Sequence, residues 1–406
     1  MYRAVAAVLF TTVVLPILYV VEPFWRIRIG FFIEGRIGHL STDVELYLRR
    51  QRMSGPRPRT TVFFIVWNPA NQPLLDMWKR RLDVIESRWL RRASYGFEPI
   101  LRRTRFFEPI PVNEPGRHEL FKDQEPTLSF TADEESRGRA LLDAMGIGDD
   151  DWFVCFHTRD SAYLATREGF GDQGDWQDGN SYRNCSIENY LDAATWIAEQ
   201  GGYAVRMGSA VLAPLSEGLH PRIIDYASHF RSPFGDIYLP AKCRFFLGGA
   251  AGLNNISMIF NVPIALANWA TYHHAGHGPN NIYNPKLLRR ATGEWVSFPE
   301  LKRMGFFDLD WRNDSLSALA ARMELRWVEN TAQEVLGICM DMMEKLDGVE
   351  PTAEIVRLQQ IYDGLYPEGE SGPMVSRIAP RFAMQHVHLI EPGDVEGERP
   401  RGVVTA

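Results

Sequence analysis

One stretch limits the fold more than any other: Trp152 to Asp160, Trp-Phe-Val-Cys-Phe-His-Thr-Arg-Asp. Its first half is an unbroken apolar run, the pattern of a strand buried on both faces of a parallel sheet, which predicts an α/β fold. Within four residues the chain then delivers His157, Arg159 and Asp160. In an open α/β sheet, ligands bind just beyond the carboxyl ends of the strands. There Arg159 can fork onto a phosphate or carboxylate, and His157 and Asp160 can hydrogen-bond or move protons. A plainer reading has an Arg–Asp pair closing a loop and His157 as a satisfied polar group.

The same strand–turn–helix plan recurs along the chain. Arg28 to Glu34 reads as a first buried strand, followed by Gly35-Arg-Ile-Gly-His39 and a helix from about Ser41 to Arg50. Ser41 or Thr42 would cap that helix, with Asp43 and Glu45 in its first turn. A Gly-x-x-Gly turn lets a ligand approach backbone amides, although many βα turns need glycine for steric reasons alone. Thr61 to Trp67 reads as a second strand, Leu74 to Leu90 as a helix, Glu108 to Pro126 as a connector and Thr131 to Met145 as a helix. Arginines recur from Arg80 to Arg105, either a solvated face or one that meets anionic lipid headgroups.

Further on, Ser161 to Asn184 is a long glycine-containing loop, Ile187 to Gln200 an amphipathic helix, and Tyr203 to Arg206 a strand that delivers a second arginine to its end. Arg244 to Gly248 is a strand, and Gly248-Gly-Ala-Ala-Gly252-Leu-Asn-Asn255 leads into a helix as an anion cradle would. That turn matches neither the Walker pattern nor Gly-x-Gly-x-x-Gly, which weighs against ATPase and dehydrogenase readings. Val262 to Leu266 is another strand, closed by Asn268-Trp269. Leu316 to Leu346 and Thr352 to Tyr366 read as helices, and His386 to Ile390 as a last ordered segment before a disordered end.

With 406 residues there is room for two domains and a tail, and a net charge of −7 argues against wholesale nucleic-acid binding. The four cysteines form no CxxC pair, which fits reduced thiols. Asp149-Asp-Asp151 fits a solvated turn better than a metal loop, since no further carboxylates follow at calcium-loop spacing. His273, His274 and His277 would need a helix to ligate together; Gly276, Gly278 and Pro279 oppose one, so cleft-lining imidazoles fit better than metal ligands.

Residues 4 to 21 carry no charge. That length is at the lower edge of what spans a bilayer, and Pro16 would kink the helix. No small-x-small site follows, so a cleaved signal fits less well. Arg26, Arg28 and Arg36 outnumber Arg3, so a span would leave the bulk of the chain on the cytoplasmic side. Residues 1–25 therefore read as membrane-associating, as a span or a shallow anchor at the cytoplasmic face of an inner membrane. A helix packed on its own domain is the alternative.

Six segments taken together carry a resemblance: Arg36-Ile-Gly-His39-Leu, Phe156-His-Thr-Arg-Asp-Ser-Ala-Tyr-Leu164, Tyr182-Arg-Asn184, Val205-Arg-Met-Gly208, Asp225-Tyr-Ala227 and Ala241-Lys-Cys-Arg-Phe-Phe-Leu-Gly248. Over about residues 28 to 345 the chain resembles a family of bacterial glycosyltransferases found in surface-polysaccharide gene clusters. Its His-x-Arg-Asp segment is similar to that of GT-B fucosyltransferases, where the arginine meets the nucleotide diphosphate. The resemblance implies a GT-B-like fold, two Rossmann-like doubly wound domains facing across a cleft: 26–130 for the acceptor, 131–346 for a nucleotide sugar, with 347–406 a helix and partly disordered tail. It implies a glycan or lipid-linked acceptor, a mild preference for inversion, and a nucleotide sugar as substrate with no cofactor.

In that frame Arg159 and Arg206 would neutralise the diphosphate, helped by backbone amides from Gly249 through Gly252 and Leu253 to Asn254, with His157 and Gly208 close by, so that no metal is required. His39 is the expected base for the acceptor hydroxyl; Asp160 is the alternative, or the residue that orients Arg159. Arg36, Gly38, Tyr182, Arg183, Asn184, Asp225 and Asn268 are further cleft residues. One departure stands out: where the family has a hydroxyl-rich Gly-Thr-Ser-Ser-Gly turn, this chain has Gly248-Gly-Ala-Ala-Gly252, so hydroxyl contacts to phosphate are lost. An epimerase or hydrolase of the same fold, or a non-catalytic nucleotide-sugar-binding scaffold, are the alternative functions.

Overall fold

The structure, a computed structural model, describes residues 2–110, 112, 121, 124–159, 181–209, 211–272, 278, 280–308, 315–367 and 376–391. Asp160, most of the loop from 161 to 184, and the cluster His273, His274 and His277 lie outside these residues.

The first unit is a four-stranded parallel sheet in the order β3-β2-β1-β4. The chain enters through a long helix α1 (Tyr2–Val21), which contains a π-turn over Phe10–Val14. Then come β1 (Arg26–Gly30), α2 (Ile37–Ser54), β2 (Thr60–Val66), α3 (Gln72–Lys79), β3 (Asp83–Glu86), α4 (Arg88–Leu101) and β4 (Phe107–Glu108). The second unit opens with α5 (Ala132–Ala144), whose Thr131 and Glu134 form a reciprocal capping box. Its sheet has seven parallel strands in the order β13-β10-β9-β8-β5-β6-β7, with β5 (Phe153–His157) inside it. The remaining elements are α6 (Leu191–Glu199), β6 (Tyr203–Arg206), β7 (Ile223–Ile224), α7 (Tyr226–His229), α8 (Gly235–Lys242), β8 (Phe246–Gly248), α9 (Asn254–Ile259), β9 (Ile264–Trp269) and β10 (Asn281–Pro285). An antiparallel pair, β11 (Leu287–Arg290) and β12 (Leu325–Val328), stands apart from the main sheet. Between and after them lie α10 (Phe298–Arg303), α11 (Leu316–Arg322), α12 (Ala332–Leu346), α13 (Ala353–Asp363), β13 (Ser376–Ile378), α14 (Pro380–Gln385) and α15 (Val387–Ile390). Two parallel α/β sheets with helical layers make the GT-B-like arrangement expected from the sequence.

One apolar core runs through both units, and a smaller one (Phe10, Leu18, Phe31, Ile65, Phe97, Leu101, Phe106) lies beneath α1. The units are locked together at α2. Arg49 is fully buried; its Nε meets Glu45 at 2.6 Å, while its other nitrogens reach Ile259 O at 3.3 Å and Asn261 Oδ1 at 3.0 Å on the second unit. A buried guanidinium with that many partners fixes the relative register of the two helices. Glu45 is thus occupied in the fold; it also accepts the Thr127 amide at 2.9 Å.

Several elements differ from expectation. The first strand is Arg26–Gly30, not Arg28 to Glu34, because Phe31 and Phe32 leave the sheet to fill the cores on either side. α2 begins at Ile37, so Ser41 is no cap: its hydroxyl donates back to Ile37 O at 2.8 Å inside the helix. The expected helix 74–90 is broken by β3, which pairs with β2; Asn71 caps the helix before it and Ser87 the helix after. The expected helix 316–346 is likewise split. Glu324 turns through φ 54°, β12 pairs with β11, and a Thr331–Glu334 capping box restarts the helix. Within the expected tail, β13 extends the second sheet by pairing with β10, and 387–390 is helical.

Candidate active site between two glycine turns

The start of α2 in the first unit and the turn after β8 in the second meet at two glycines. Gly38, the second residue of α2, lies against Gly252, the last glycine of the turn after β8. A Cβ on Gly38 would sit 3.1 Å from Gly252 Cα, and a Cβ on Gly252 would sit 3.1 Å from Gly38 N. Asn255 Nδ2 donates to Gly38 O at 3.3 Å across the junction. Glycine at both positions is therefore what allows the two helix starts to close on one another.

Arg36 occupies the N-cap of α2 and His39 its first turn. His39 Nδ1 lies 2.8 Å from Asp43 Oδ2; the imidazole is 23% exposed and the carboxylate 2%. With Nδ1–H donating to Asp43, Nε2 is left as a proton acceptor. On the second unit, Arg159 follows β5, and Tyr182 and Arg183 sit on a 3₁₀ turn over Ser181–Arg183. Arg183 holds the turn after β8 by donating from Nε to Ala250 O at 2.9 Å. Asn254 does the same from within, Nδ2 to Gly249 O at 3.0 Å, and Leu253 is the buried residue before α9.

Three guanidiniums crowd this junction. Arg159 is pulled down to about 10, first by burial and then by the like charge of Arg183, with Arg36 adding to it and Tyr182 opposing. Arg183 is lowered by burial, with Tyr182 opposing and Arg36 again acting against it. Like charges held together in a partly dry site create a strong positive potential for an anion.

Beside them opens a cavity of about 380 Å³, lined by Tyr182, Asn184, Lys286, Leu325, Trp327 and Glu329 among others. Tyr182 and Trp327 stack with ring centroids 5.2 Å apart. Lys286 is 3% exposed, donates to Asn184 O at 2.7 Å and is lowered by burial. Among the described residues, Trp327 Nε1 and Asn184 Oδ1 are buried without a hydrogen-bond partner, a donor and an acceptor in the same wall.

Other expected site residues are committed elsewhere. Arg206 is 4% exposed; its Nη1 donates to Asp225 at 3.2 Å and to Ala213 O at 2.8 Å. Asp225 also accepts the Leu215 amide at 2.9 Å and caps α7 through Ser228. Arg206 and Asp225 thus form a buried pair that fastens a loop. His157 Nδ1 lies 3.0 Å from Met207 O, next to Gly208. Asn268 exchanges reciprocal hydrogen bonds of 2.6 and 2.7 Å with Asn330 and is fully buried. Asp160 lies outside the described residues. Asp43, Lys286, Trp327 and Glu329 were not expected from the sequence. Only Asp43 left a signal there, the i,i+4 spacing from His39; the others depend on the β11–β12 pair. Among the described residues, no group of three or more His, Cys, Asp or Glu could hold a metal ion.

No family profile matches the chain, and no curated protein matches it. Solved structures do. The glycosyl transferase family 9 protein from Veillonella parvula DSM 2008 is 9% identical with a TM-score of 0.43, over 79% of this chain and 98% of that one. The E. coli ADP-heptose LPS heptosyltransferase II is 12% identical with a TM-score of 0.41, over 59% and 84%. E. coli heptosyltransferase WaaC with ADP is 12% identical with a TM-score of 0.35, over 69% and 97%. Likenesses this remote leave the chemistry to be argued from the site's own residues.

Proposed function

We propose that the chain is a glycosyltransferase that moves a sugar from a nucleoside-diphosphate donor to a glycan or lipid-linked acceptor in surface-polysaccharide synthesis, working at a membrane surface. One observation carries the reading: Arg159, Arg183 and Arg36 converge, at mutual electrostatic cost, on the junction of the two glycine turns. A diphosphate placed there would meet the positive charge of three side chains. The neighbouring cavity suits the nucleoside: it is lined by the aromatic rings of Tyr182 and Trp327, and Tyr182 is next in sequence to Arg183.

In the reaction, His39 Nε2 takes the proton of the acceptor hydroxyl while Asp43 holds Nδ1 and steadies the imidazolium that forms. The freed oxygen attacks the anomeric carbon, and the bond to the diphosphate breaks with its charge spread onto Arg159, Arg183 and Arg36. We infer inversion at the anomeric carbon, with the acceptor oxygen attacking opposite the leaving group. The arginines supply the positive charge within the chain, so the scheme requires no metal.

The test is transfer from a panel of nucleotide sugars to bacterial polysaccharide and lipid-linked acceptors, scored by nucleotide release. The reading expects release to depend on acceptor. Equal release without acceptor points to a hydrolase, and tight nucleotide binding without release points to a scaffold.

A further inference from the structure

The helix α1 has two unlike faces. One is a stripe that fits the domain: Phe10 stacks on Phe97 at 4.8 Å and Leu18 is buried. The contact runs the helix's full length. Near the start, Arg3 lies over Tyr95, and its backbone is so close to α4 that a Cβ on Gly96 would come 2.2 Å from Arg3 O. Near the end, Tyr19 packs edge-on against Phe106 at 4.8 Å and Glu22 pairs with Arg105 at 3.4 Å. The other face is apolar and bare: Val5, Val8, Leu9, Val13, Ile17 and Val20 are all exposed. A soluble surface seldom leaves so continuous an apolar strip uncovered.

By length and composition α1 could cross a bilayer. Its neighbours oppose that orientation. Gly96 and Phe97 of α4 lie directly against its first half and Arg105 against its end. A spanning α1 would either carry α4 with it into hydrocarbon or peel away and expose the small core beneath it. Lying flat, it does neither. Phe24 (75% exposed) and Trp25 (47%) follow it directly as interfacial aromatics, Trp89 (74%) is exposed at the start of α4, and Arg92 and Arg103 are exposed to meet acidic headgroups.

We propose that α1 and α4 together form an in-plane docking face for an anionic lipid bilayer, with α1 half-sunk in the interface and crossing nothing. This rests on the membrane-surface reading above and fixes its geometry. The test uses the full chain carrying Tyr2→Cys or, as reporter on the body, Val349→Cys; both positions are exposed and all four native thiols are buried. In inside-out vesicles from the expressing bacterium, an impermeant maleimide is expected to label both without detergent. Labelling of Tyr2→Cys only after detergent overturns the in-plane geometry and leaves membrane association standing. A wild type that fails to float with phosphatidylglycerol vesicles, including one that pairs with a second copy through this face instead, overturns both. Val8→Glu/Ile17→Glu is expected to abolish flotation with the melting temperature unchanged, and Arg92→Ala/Arg103→Ala to weaken binding roughly 30-fold. Flotation of Val8→Glu/Ile17→Glu at the wild-type level overturns the proposal.

Discussion

β5 and β6 lie side by side in the second sheet, and each hands an arginine to the same edge. Arg206, at the end of β6, is buried against Asp225. Arg159, just past β5, is pulled down to about 10, first by burial and then by the like charge of Arg183. Delivery to a strand's carboxyl end is common to both, so position alone does not mark a ligand-binding arginine. What differs is the neighbourhood: Arg206 sits against a carboxylate, whereas Arg159 lies near two further arginines, the setting that the proposed function gives to a bound anion.

Substitutions break this comparison in different ways. Arg206→Ala leaves Asp225 buried without its counter-ion and is expected to cost about 3 kcal/mol of stability, read as a lowered denaturant midpoint. With Arg159→Ala, transfer is expected to fall roughly 10²- to 10³-fold. If the two variants behaved alike in both assays, the distinction would be lost. His39→Gln sharpens the picture on the facing unit, with kcat down about 10²-fold at near-constant donor affinity. Asp43→Asn should give a smaller loss and a shifted pH profile, as expected of a group that acts through the imidazole.

A further prediction concerns α13, where Asp363 is raised to about 7, mainly by burial, with Arg377 only partly opposing. The folded form holds its proton where the unfolded chain has released it. That contribution is therefore complete below about pH 4 and is lost as pH rises towards 7, by up to about 1.4 kcal/mol per unit. Asp363→Asn should raise the melting temperature at pH 8 and leave it nearly unchanged at pH 4.

What the sequence reveals and what it hides follow the same physics. Phe153–His157 and Tyr203–Arg206 are readable because strands buried on both faces need unbroken apolar runs. β3 and β12 are hidden because they are short, partly exposed and held by partners far along the chain, so local periodicity favours the helices around them. The arginines could be named as candidates from sequence, but Asp225 as the counter-ion of Arg206 could not, because nineteen residues separate them and only the fold closes the gap. The Tyr182–Trp327 wall is beyond sequence reasoning for the same reason.

The most direct test of the central claim is a thermal-shift titration of the full chain with UDP, GDP, ADP and CMP, with Arg159→Ala alongside. At a hundredfold excess over its dissociation constant, the matching nucleoside diphosphate should stabilise the wild type by about 3 kcal/mol and the variant hardly at all. No response to any nucleotide, or an equal response from Arg159→Ala, would contradict a diphosphate site at the arginine cluster.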